Sequence, residues 1–368
     1  MVKLTGIKME RKFASEETKQ LLFSVIMPVY NVEKYVSQAI ESVLHQEFID
    51  FELIIVNDCS PDGSLAICKK YAEKDHRITI ISLDKNGGLS NARNVGMSAM
   101  RGRYVLFLDS DDWWDEDLLQ SVADVIEQDE PDIVFFGYRD EWFSMDDRQL
   151  QTVPKIPKAI SIKNNHLEVL RMSIILQAQD NDMYSWSANK AIKNKKKPSR
   201  FIDVPLSEDE EYIGRLWENA SSLSVIAKSL LHYRRKKAGS LRSKYQPHFF
   251  KIHKLIWDYR YNQLLEAGLL DEGADVLKKQ YLQIVYLTVQ MMCYPEAHKS
   301  VADKIQFIHT AENDKHWDAI RDKSMRGAFQ FQIMGFFFSH NIYPAVLFLG
   351  EMIYFIKVHS FWLWRHLR

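Results

Sequence analysis

The chain has few cysteines and no excess of charge of either sign. Cys59, Cys68 and Cys293 stand far apart in 368 residues, an odd number without the spacing of a disulfide framework or a zinc site. They indicate free thiols in a reducing compartment. The 48 basic and 49 acidic side chains give a formal net charge of −1, which offers no electrostatic argument for binding nucleic acid.

Several sequence signals are also absent. Residues 1–20 contain no apolar run of the kind that a secretory signal needs, so we interpret them as a polar N-terminal arm. The chain has neither a G-x-G-x-x-G sequence nor a P-loop, which argues against a dinucleotide-dependent dehydrogenase and against an ATPase. With 46% hydrophobic and 26% charged residues, the composition predicts one large globular domain and a smaller one.

Apolar strand-like runs alternate with helical patterns through residues 23–137. The predicted strands are Phe23 to Val29, Glu52 to Val56, Ile78 to Leu83, Arg103 to Leu108 and Ile133 to Gly137. Segments with apolar residues at helical spacing lie between them. This alternation is typical of a doubly wound α/β fold, a mostly parallel sheet covered on both faces, in which ligands bind beyond the carboxyl ends of the strands.

The fourth predicted strand ends in three acids within four positions, Asp109, Asp111 and Asp112. Because Asp109 and Asp111 are two residues apart, their side chains point the same way in extended backbone and can share one divalent ion. Oxygen ligands of this kind favour Mg²⁺ or Mn²⁺, which often complete their shell with substrate phosphates. The structural alternative is a solvated acidic turn that caps a helix starting near Asp115.

Two other strand ends carry polar, turn-prone residues that we expect at the same rim of the sheet. Pro28 stiffens the turn after the first strand, and Tyr30 offers an aromatic face on which a base can stack. Asp58 follows the second strand. It either accepts a hydrogen bond from the imide N–H of a uracil, or it forms an N-cap or Asx turn before the helix that begins at Ser64.

Cationic candidates lie in four places. The pair Gly87-Gly88 allows close backbone approach and points Arg93 toward an anion. The later run Arg234 to Lys237 is a second source of positive charge for a departing diphosphate if a loop closes over it. His232 is either a packed, hydrogen-bonded side chain or a third metal ligand. The run Lys193 to Lys197 indicates a solvated loop, with a phosphate or lipid contact as the alternative.

Four motifs in this order resemble family 2 glycosyltransferases of the GT-A fold. They are FSVIMPVYN at residues 23–31, LIIVNDCSPDGS at 53–64, NGGLSNARNVG at 86–96 and YVLFLDSDDWW at 104–114. The resemblance implies inverting transfer from a nucleotide-sugar, commonly a UDP-sugar, with Mg²⁺ or Mn²⁺ bound by the D-x-D. By this resemblance Pro28, Tyr30, Glu33 and Asp58 hold the nucleotide, and Asp109 and Asp111 hold the metal and the diphosphate. Arg93 is a further donor-binding candidate, as the cation that the glycine pair points toward an anion.

A catalytic base is predicted in the second half of the chain. The segment Ser207 to Tyr212 is similar to the family's Glu-Asp motif, and Trp186 to Lys190 resembles its Trp-x-x-Asn-Lys segment. The resemblance implies that Asp209 is the base that takes the acceptor proton and that Glu208 contacts the acceptor, with Glu210 the nearest rival for the base. The same acids also suit a helix N-terminus capped by Ser207.

We predict three parts of the chain: the arm at 1–20, a GT-A domain at 21–245 and a C-terminal helical region at 246–368. Residues 327–350 contain no Lys, Arg, Asp or Glu, and the segment Phe361 to His366 is rich in aromatic residues. This ending indicates an interfacial segment in the headgroup zone, with a spanning helix or two buried helices as alternatives. The predicted location is cytoplasmic, at the inner face of the plasma membrane.

The predicted function is sugar transfer to a hydroxyl of a glycan or lipid-linked acceptor in cell-surface polysaccharide synthesis. One alternative is an inactive relic of this fold that binds nucleotide-sugars or carbohydrates as a scaffold. Another is a sugar nucleotidyltransferase, which needs a glycine-rich phosphate loop after the first strand, where this chain has Pro28 to Asn31. The donor sugar, the acceptor, the linkage and the oligomeric state depend on a pocket that the sequence does not define.

Overall fold

The computed structural model describes residues 7–10, 21–144, 146–179, 184–195, 199–202, 207–236, 245–323 and 329–359. They belong to two compact units, Met1–Gly239 and Ser240–Arg368. The functional division of the chain into an arm, a transferase domain and a helical region remains a prediction.

The first unit contains eleven described strands and six described helices. The strands are β1 Ile7–Glu10, β2 Phe23–Val29, β3 Phe51–Asn57, β4 Ile78–Leu83, β5 Tyr104–Phe107, β6 Trp113–Trp114, β7 Ile133–Phe143, β8 Gln149–Lys155, β9 Ile160–Ile162, β10 Lys190–Lys193 and β11 Leu223–Lys236. The helices are α1 Val36–Leu44, α2 Ser64–Ala72, α3 Leu89–Ala99, α4 Leu118–Asp129, α5 His166–Gln179 and α6 Glu208–Asn219.

The described strands form one sheet with the order β1-β4-β3-β2-β5-β10-β7-β11-β6, while β8 pairs with β7 and β9 with β11. Strands β4, β3, β2 and β5 run parallel to one another. Every residue of β2 and β3 is buried, as expected for strands covered on both faces. The mostly parallel, doubly wound α/β sheet predicted from the sequence is confirmed.

The sheet also contains strands that the sequence pattern does not predict. Strand β10 lies between β5 and β7 and runs antiparallel to both, although Lys190 and Lys193 at its two ends give it little apolar character. Strand β1 lies inside the predicted polar arm and pairs antiparallel with β4. Both are short strands whose position is set by their partners, which is information that local propensity does not carry.

The second unit is helical where it is described. Its helices are α7 Phe249–Glu266, α8 Leu270–Met291, a 3₁₀ turn at Pro295–Ala297, α9 Val301–Glu312, α10 Lys315–Ile320, α11 Phe329–Ser339 and α12 Tyr343–His359. Helix α8 carries the core of this unit, since Tyr281, Leu282, Val285 and Val289 are fully buried. In the described residues, every helix falls short, in length or in apolar character, of what crossing a bilayer requires.

Candidate active site

The candidate site lies where β2, β3 and β5 end side by side. The chain turns sharply just after two of these strands, since Asn31 has φ 54° and Cys59 has φ 58°, values in the left-handed region. The loop after β5 carries Asp109 and Asp111. The rim predicted from the strand ends is therefore present, and the sheet order brings its three segments together.

Arg93 of α3 joins the two acidic motifs of this rim. Its side chain is only 1% exposed. One terminal nitrogen donates to Asp109 Oδ1 at 2.9 Å, and the other donates to Glu208 Oε1 at 3.0 Å and to Asp209 Oδ1 at 2.8 Å. Burial opposes its charge, but the three carboxylates outweigh burial and raise the pKa of Arg93. The anion expected near Arg93 is therefore a set of protein carboxylates.

Helix α6 presents the predicted base at its N-terminus. The helix begins at Glu208, and its first turn consists of four acids, where the helix dipole favours negative charge. Ser207 stands at the N-cap position, as the sequence indicated, but its side chain makes no capping hydrogen bond. Asp209 Oδ1 also accepts from Ser187 Oγ at 2.8 Å.

Glu208 is the more buried of the two predicted acceptor-site acids. Burial raises the pKa of Glu208 to about 6, the nearby charge of Asp209 adds to this effect, and Arg93 opposes it. A carboxyl group with such a pKa exchanges its proton close to neutral pH.

The three acids after β5 have different surroundings. Asp111 is exposed and Asp109 is partly exposed, while Asp112 is buried. Asp112 Oδ1 accepts from the backbone N–H of Arg234 at 2.8 Å, and within the described part of the chain its Oδ2 has no hydrogen-bond partner. Burial, with the charges of Asp111 and Asp109, raises the pKa of Asp112 well above its usual range.

The alternative reading of these acids as a cap for the next helix is not supported. Helix α4 begins at Leu118, and Asp117 is its N-cap residue. Asp115 instead joins a side-chain network, in which one oxygen meets Arg139 at 2.5 Å and the other meets His232 Nε2 at 2.9 Å. The helix therefore starts later than the sequence suggested.

The acids of this rim fit a divalent cation with an incomplete protein shell. Asp109 and Asp111 can offer two carboxylates, and the neighbouring Asp112 has a buried oxygen without a hydrogen-bond partner among the described residues, which a nearby positive charge would stabilise. Among those residues, a group of three acid or histidine ligand atoms within 4.8 Å of one another occurs elsewhere, at Asp258, Asp314 and His316. A two-carboxylate site is typical of cations that share their shell with substrate phosphates.

Asp58 clamps the glycine pair. Its Oδ1 accepts from the N–H of Gly87 and its Oδ2 from the N–H of Gly88, both at 2.8 Å. The N-cap residue of α2 is Gly63, so the interpretation of Asp58 as the cap of that helix is wrong. The loop of the third motif is thereby fixed directly beside the end of β3.

The other predicted donor-binding residues surround the end of β2. Pro28 lies within β2, opposite Val56 of β3, and the ring of Tyr30 is 48% exposed. Glu33 Oε2 accepts from the N–H of Gly63 at 2.9 Å. Tyr30 therefore offers an accessible aromatic face, whereas Glu33 connects the first motif with the second.

His232 lies in a hydrogen-bonded and stacked setting. Its Nδ1 faces Glu141 Oε1 at 2.7 Å, its Nε2 faces Asp115 Oδ1 at 2.9 Å, and its ring stacks on Trp113 at 4.8 Å. Because both ring nitrogens face carboxylates, the structure favours the packed alternative over a third metal ligand. An open cleft of about 560 Å³ lies beside this network, lined by Glu47, Trp113, Trp114, Asp115, Glu116, Asp117 and His232.

The basic runs singled out in the sequence make internal pairs where they are described. Lys193 meets Glu130 at 3.3 Å and Lys195 meets Asp132 at 3.0 Å, while residues 196–198 and Lys237 lie outside the described residues. Sequence reasoning named Asp112 without giving it a role of its own, and it missed Ser187 and the structural use of Arg234. The sequence could have pointed to Ser187, because this residue lies inside the Trp-x-x-Asn-Lys segment.

A doubly wound sheet with a D-x-D after a strand end and a Glu-Asp pair at a helix N-terminus has the arrangement expected of a GT-A fold. A crystal structure of S. aureus TarS in complex with UDP-GlcNAc has the same fold, with a TM-score of 0.62 over 90% of this chain and 91% of that one, at 20% identity. This likeness confirms the predicted GT-A fold.

Sequence comparison identifies the family. The model of glycosyl transferase family 2 matches residues 24–173. EpsH of Bacillus subtilis (strain 168), named as a glycosyltransferase, is 30% identical over 259 residues, covering 68% of this chain and 71% of EpsH. EpsJ of the same strain, an uncharacterized glycosyltransferase, is 29% identical over 296 residues, covering 78% of this chain and 83% of EpsJ. The chain belongs to glycosyl transferase family 2 and is a glycosyltransferase.

Proposed function

We propose that this enzyme transfers a sugar, with inversion, from a UDP-sugar to a hydroxyl of a glycan or lipid-linked acceptor in cell-surface polysaccharide synthesis. The proposed setting is the cytoplasmic face of the plasma membrane. The observation that carries the proposal is the meeting of Asp109 and Asp209 on the one guanidinium of Arg93, at 2.9 and 2.8 Å. Transfer needs a group that holds the donor diphosphate and a base for the acceptor, and these two acids supply one candidate for each.

Asp209 is the proposed base. In an inverting displacement, the acceptor oxygen attacks the anomeric carbon from the face opposite the leaving diphosphate and gives its proton to a nearby carboxylate. The hydrogen bonds from Arg93 and Ser187 to Asp209 Oδ1 fix the orientation of this carboxylate. Glu208, one residue earlier on α6, is proposed to contact the acceptor.

Asp109 and Asp111 are the proposed ligands of Mg²⁺ or Mn²⁺, and Asp112 supports them from its buried position. When bound, such a cation offsets the negative charge that develops on the leaving diphosphate. Tyr30, Asp58 and Glu33 line the proposed nucleotide side of the rim, where the accessible ring of Tyr30 suits base stacking. Asp58 must share its oxygens between the glycine amides and the imide N–H of a uracil.

The comparisons support a UDP-sugar as the donor. The solved TarS structure contains UDP-GlcNAc, and TarS of Staphylococcus aureus is named a poly(ribitol-phosphate) β-N-acetylglucosaminyltransferase. For this chain, whose identity to TarS is 27% over 271 residues, we propose a hexosyl- or N-acetylhexosaminyl-type transfer.

The test is a panel of UDP- and other nucleotide-sugars, incubated with the purified enzyme and Mn²⁺ and assayed for release of the nucleoside diphosphate. We expect slow hydrolysis of one donor, its loss with EDTA and its loss in Asp111→Ala. The matched control is Asp318→Ala, which removes an exposed acid of the second unit and should leave the rate unchanged. Donor binding without turnover, whichever acceptor is supplied, would indicate the relic scaffold. Release of pyrophosphate from UTP and a sugar 1-phosphate would indicate a nucleotidyltransferase.

A further inference from the structure

Helices α11 and α12 each have one face that packs inside the second unit. Phe338 of α11 is buried and meets the ring of Trp317 edge-on at 5.1 Å. On α12, Gly350 approaches α8 so closely that an added Cβ would stand 2.5 Å from Val289 Cγ1. These contacts fix the orientation of the two helices, and they decide which residues remain on the outer face.

The outer face of α12 is apolar. Among the residues of this helix whose side chains are described, the exposed ones are Pro344, Phe348, Met352 and Phe355. Their spacing of four, four and three residues places them on one stripe, with Phe348 at 63% and Phe355 at 61% exposure. A helix at the surface of a water-soluble domain normally carries polar and charged residues on its outer stripe.

The side chains of α12 are described from Tyr343 to Ile356, and no charged residue of that range lies on the stripe. Glu351 is only partly exposed and pairs with Lys304 at 2.8 Å. Helix α11 adds Phe336, which is 52% exposed. A row of exposed large apolar side chains along one helix face marks an interaction site, because exposing such a face to water is unfavourable.

The sequence after the stripe indicates what covers it. Residues 357–368 read KVHSFWLWRHLR and contain three Lys or Arg residues, two histidines and no acid. Tryptophan with arginine and lysine is the composition that lies at the headgroup level of a bilayer, where the rings meet the acyl boundary and the cations meet anionic lipid. A second protein chain would have no comparable need for an acid-free, aromatic and basic continuation of the stripe.

We propose that the outer stripe of α12, together with Phe336, binds the surface of an anionic membrane and lies in the plane of its headgroups. The two helices do not have to cross the bilayer for this, and binding strength should follow both the apolar area inserted and the charge of the lipid. The proposal does not depend on which sugar is transferred, and it would bring the enzyme to an acceptor carried on a lipid.

Vesicle flotation of the full-length protein tests the proposal without any donor or turnover. We expect the wild-type protein to float with vesicles of phosphatidylglycerol and phosphatidylcholine, and to float less with phosphatidylcholine alone or at high salt. In Phe348→Gln/Phe355→Gln, partition should fall at least about tenfold, since two large apolar side chains are lost from the contact. The matched control is Leu255→Gln/Leu265→Gln on α7, where Leu255 is also 63% exposed, and its partition should equal that of the wild type.

Three results would overturn the membrane proposal. The first is a wild-type protein that stays with the unbound fraction on both kinds of vesicle, and the second is equal flotation of the phenylalanine and leucine variants. The third is a wild-type dimer that the phenylalanine double variant converts to a monomer in sedimentation, because a second copy would then be the occupant. Matching far-UV circular dichroism and melting curves establish that each variant is folded.

An independent observation in the first unit concerns Arg234 of β11. Its backbone N–H donates to Asp112 Oδ1 at 2.8 Å, its Nε donates to the backbone carbonyl of Asp111 at 2.9 Å, and a terminal nitrogen donates to Gln38 Oε1 at 2.6 Å. The guanidinium carbon lies 4.7, 4.8 and 4.3 Å from the ring centres of Tyr35, Trp113 and Phe143. Arg234 thus holds the loop that carries the D-x-D at two points, through its backbone N–H and its Nε, while its terminal nitrogen anchors the guanidinium to Gln38 of α1.

We infer that Arg234 is a positioning residue for the D-x-D loop, an inference that rests on the proposed function. A planar guanidinium can stack on aromatic rings and donate in its own plane at the same time, whereas a lysine ammonium reproduces the charge without this geometry. Its role therefore differs from the direct cationic stabilisation of a diphosphate expected from the basic run. Outer-shell groups that orient metal ligands typically contribute about 10–100-fold to metal affinity.

The test is the affinity for Mn²⁺, measured by electron paramagnetic resonance in the absence of donor. We expect Arg234→Lys and Arg234→Met to weaken Mn²⁺ binding to a similar extent, about 10–100-fold, with turnover recovering at high Mn²⁺. Arg235→Met, on the same strand, should keep the wild-type affinity. Unchanged Mn²⁺ affinity with a raised KM for the donor, rescued by Arg234→Lys, would overturn the inference in favour of a phosphate contact. A wild-type protein that binds no Mn²⁺ would instead overturn the proposed metal-dependent function itself.

Discussion

Each unit of the molecule gathers carboxylates around one cationic side chain, and the two clusters differ in what their acids do. In the first unit, the fully buried Arg93 meets Asp109 and the first two acids of α6. In the second unit, Lys254 meets Asp258 at 2.5 Å and Asp314 at 2.9 Å. The first cluster joins two distant segments at an open rim, whereas the second ties neighbouring helices together.

The acids of the second cluster each have a structural task. Asp314 caps α10 by accepting from the backbone N–H groups of His316 and Trp317, at 3.0 and 3.1 Å. Asp258 is one helical turn from Lys254 and also accepts from His316 Nδ1 at 2.6 Å. By geometry alone, Asp258, Asp314 and His316 could hold a metal ion. The ammonium group of Lys254, however, already balances the charge of the two acids. Closely spaced acids indicate chemistry only where the fold does not use them all.

The largest expected difference between the clusters is in turnover. Asp209→Asn should bind the donor nearly normally but lower the transfer rate about 10²–10⁴-fold, because the acceptor proton loses its base. Asp314→Asn should leave transfer unchanged. Initial rates of transfer, with donor binding measured by calorimetry, test both variants, and wild-type transfer in Asp209→Asn would assign the base to another acid, with Glu210 first in line.

The second difference is in stability. Arg93→Met removes a fully buried guanidinium that pairs with three carboxylates at once, and it should lower the free energy of unfolding by about 3–5 kcal/mol. Lys254→Met should lower it by about 1 kcal/mol or less, since Lys254 is more exposed than Arg93 and pairs with two carboxylates that water can reach. Denaturant unfolding of both variants measures these values, and equal losses would mean that the clusters are energetically alike.

The third difference is in the response to pH. The pKa of Glu208 is raised from 4.5 to about 6 by burial and by Asp209, so the folded chain keeps this proton up to a higher pH than the unfolded chain does. Its contribution to stability is present below pH 4.5 and is lost as the pH rises through about 6, by roughly 2 kcal/mol. Unfolding of wild type and Glu208→Gln at both ends of this window tests the prediction, and a parallel pH dependence in the two proteins would contradict it.

Asp314 should behave in the opposite way. Burial alone would raise the pKa of Asp314, but hydrogen bonds from Lys254 and from the amides of α10 lower it below 3.8. The stability that Asp314 contributes is therefore present above pH 3.8 and is lost as the pH falls through its lowered pKa. In Asp314→Asn, this acid-side loss should be missing, which unfolding curves measured at progressively lower pH would show.

The smallest expected effect is stabilisation by metal alone. Mn²⁺ should raise the melting temperature of the wild type by a few degrees, about 2–4 °C for each kcal/mol of binding free energy. Asp111→Ala should abolish this shift and Asp258→Ala should keep it. Melting curves with and without EDTA test this. A shift that persists in Asp111→Ala and is lost in Asp258→Ala would place the metal site in the second unit.

The sequence predicted the first four parallel strands because each is a buried apolar run between amphipathic helices. It also predicted which acids lie at the rim, since Asp109 and Asp111 follow directly from a strand end. It could not predict that Arg93 joins them to Asp209, because 116 positions separate these two residues and their contact exists only once the whole sheet has assembled. The alternative in which Asp58 caps α2 is wrong, because its oxygens accept from the amides of Gly87 and Gly88 instead.

The end of the chain was the least predictable part. Composition identified an uncharged, aromatic segment at residues 327–350, but it does not say which side of each helix faces inward. That choice depends on the contact of Gly350 with α8 and on the burial of Phe338, both of which are tertiary contacts. The same composition was therefore compatible with burial, with a membrane surface and with a spanning helix.

The position of β10 has a consequence for how the polypeptide can be shortened. The family match ends at residue 173, before this strand, which separates β5 from β7. A fragment that ends at that residue would lack β10 and leave one edge of β5 unpaired. Unpaired strand edges promote strand exchange and aggregation. During synthesis on the ribosome, the same edge stays open until Lys190 to Lys193 have emerged, so this part of the sheet closes late.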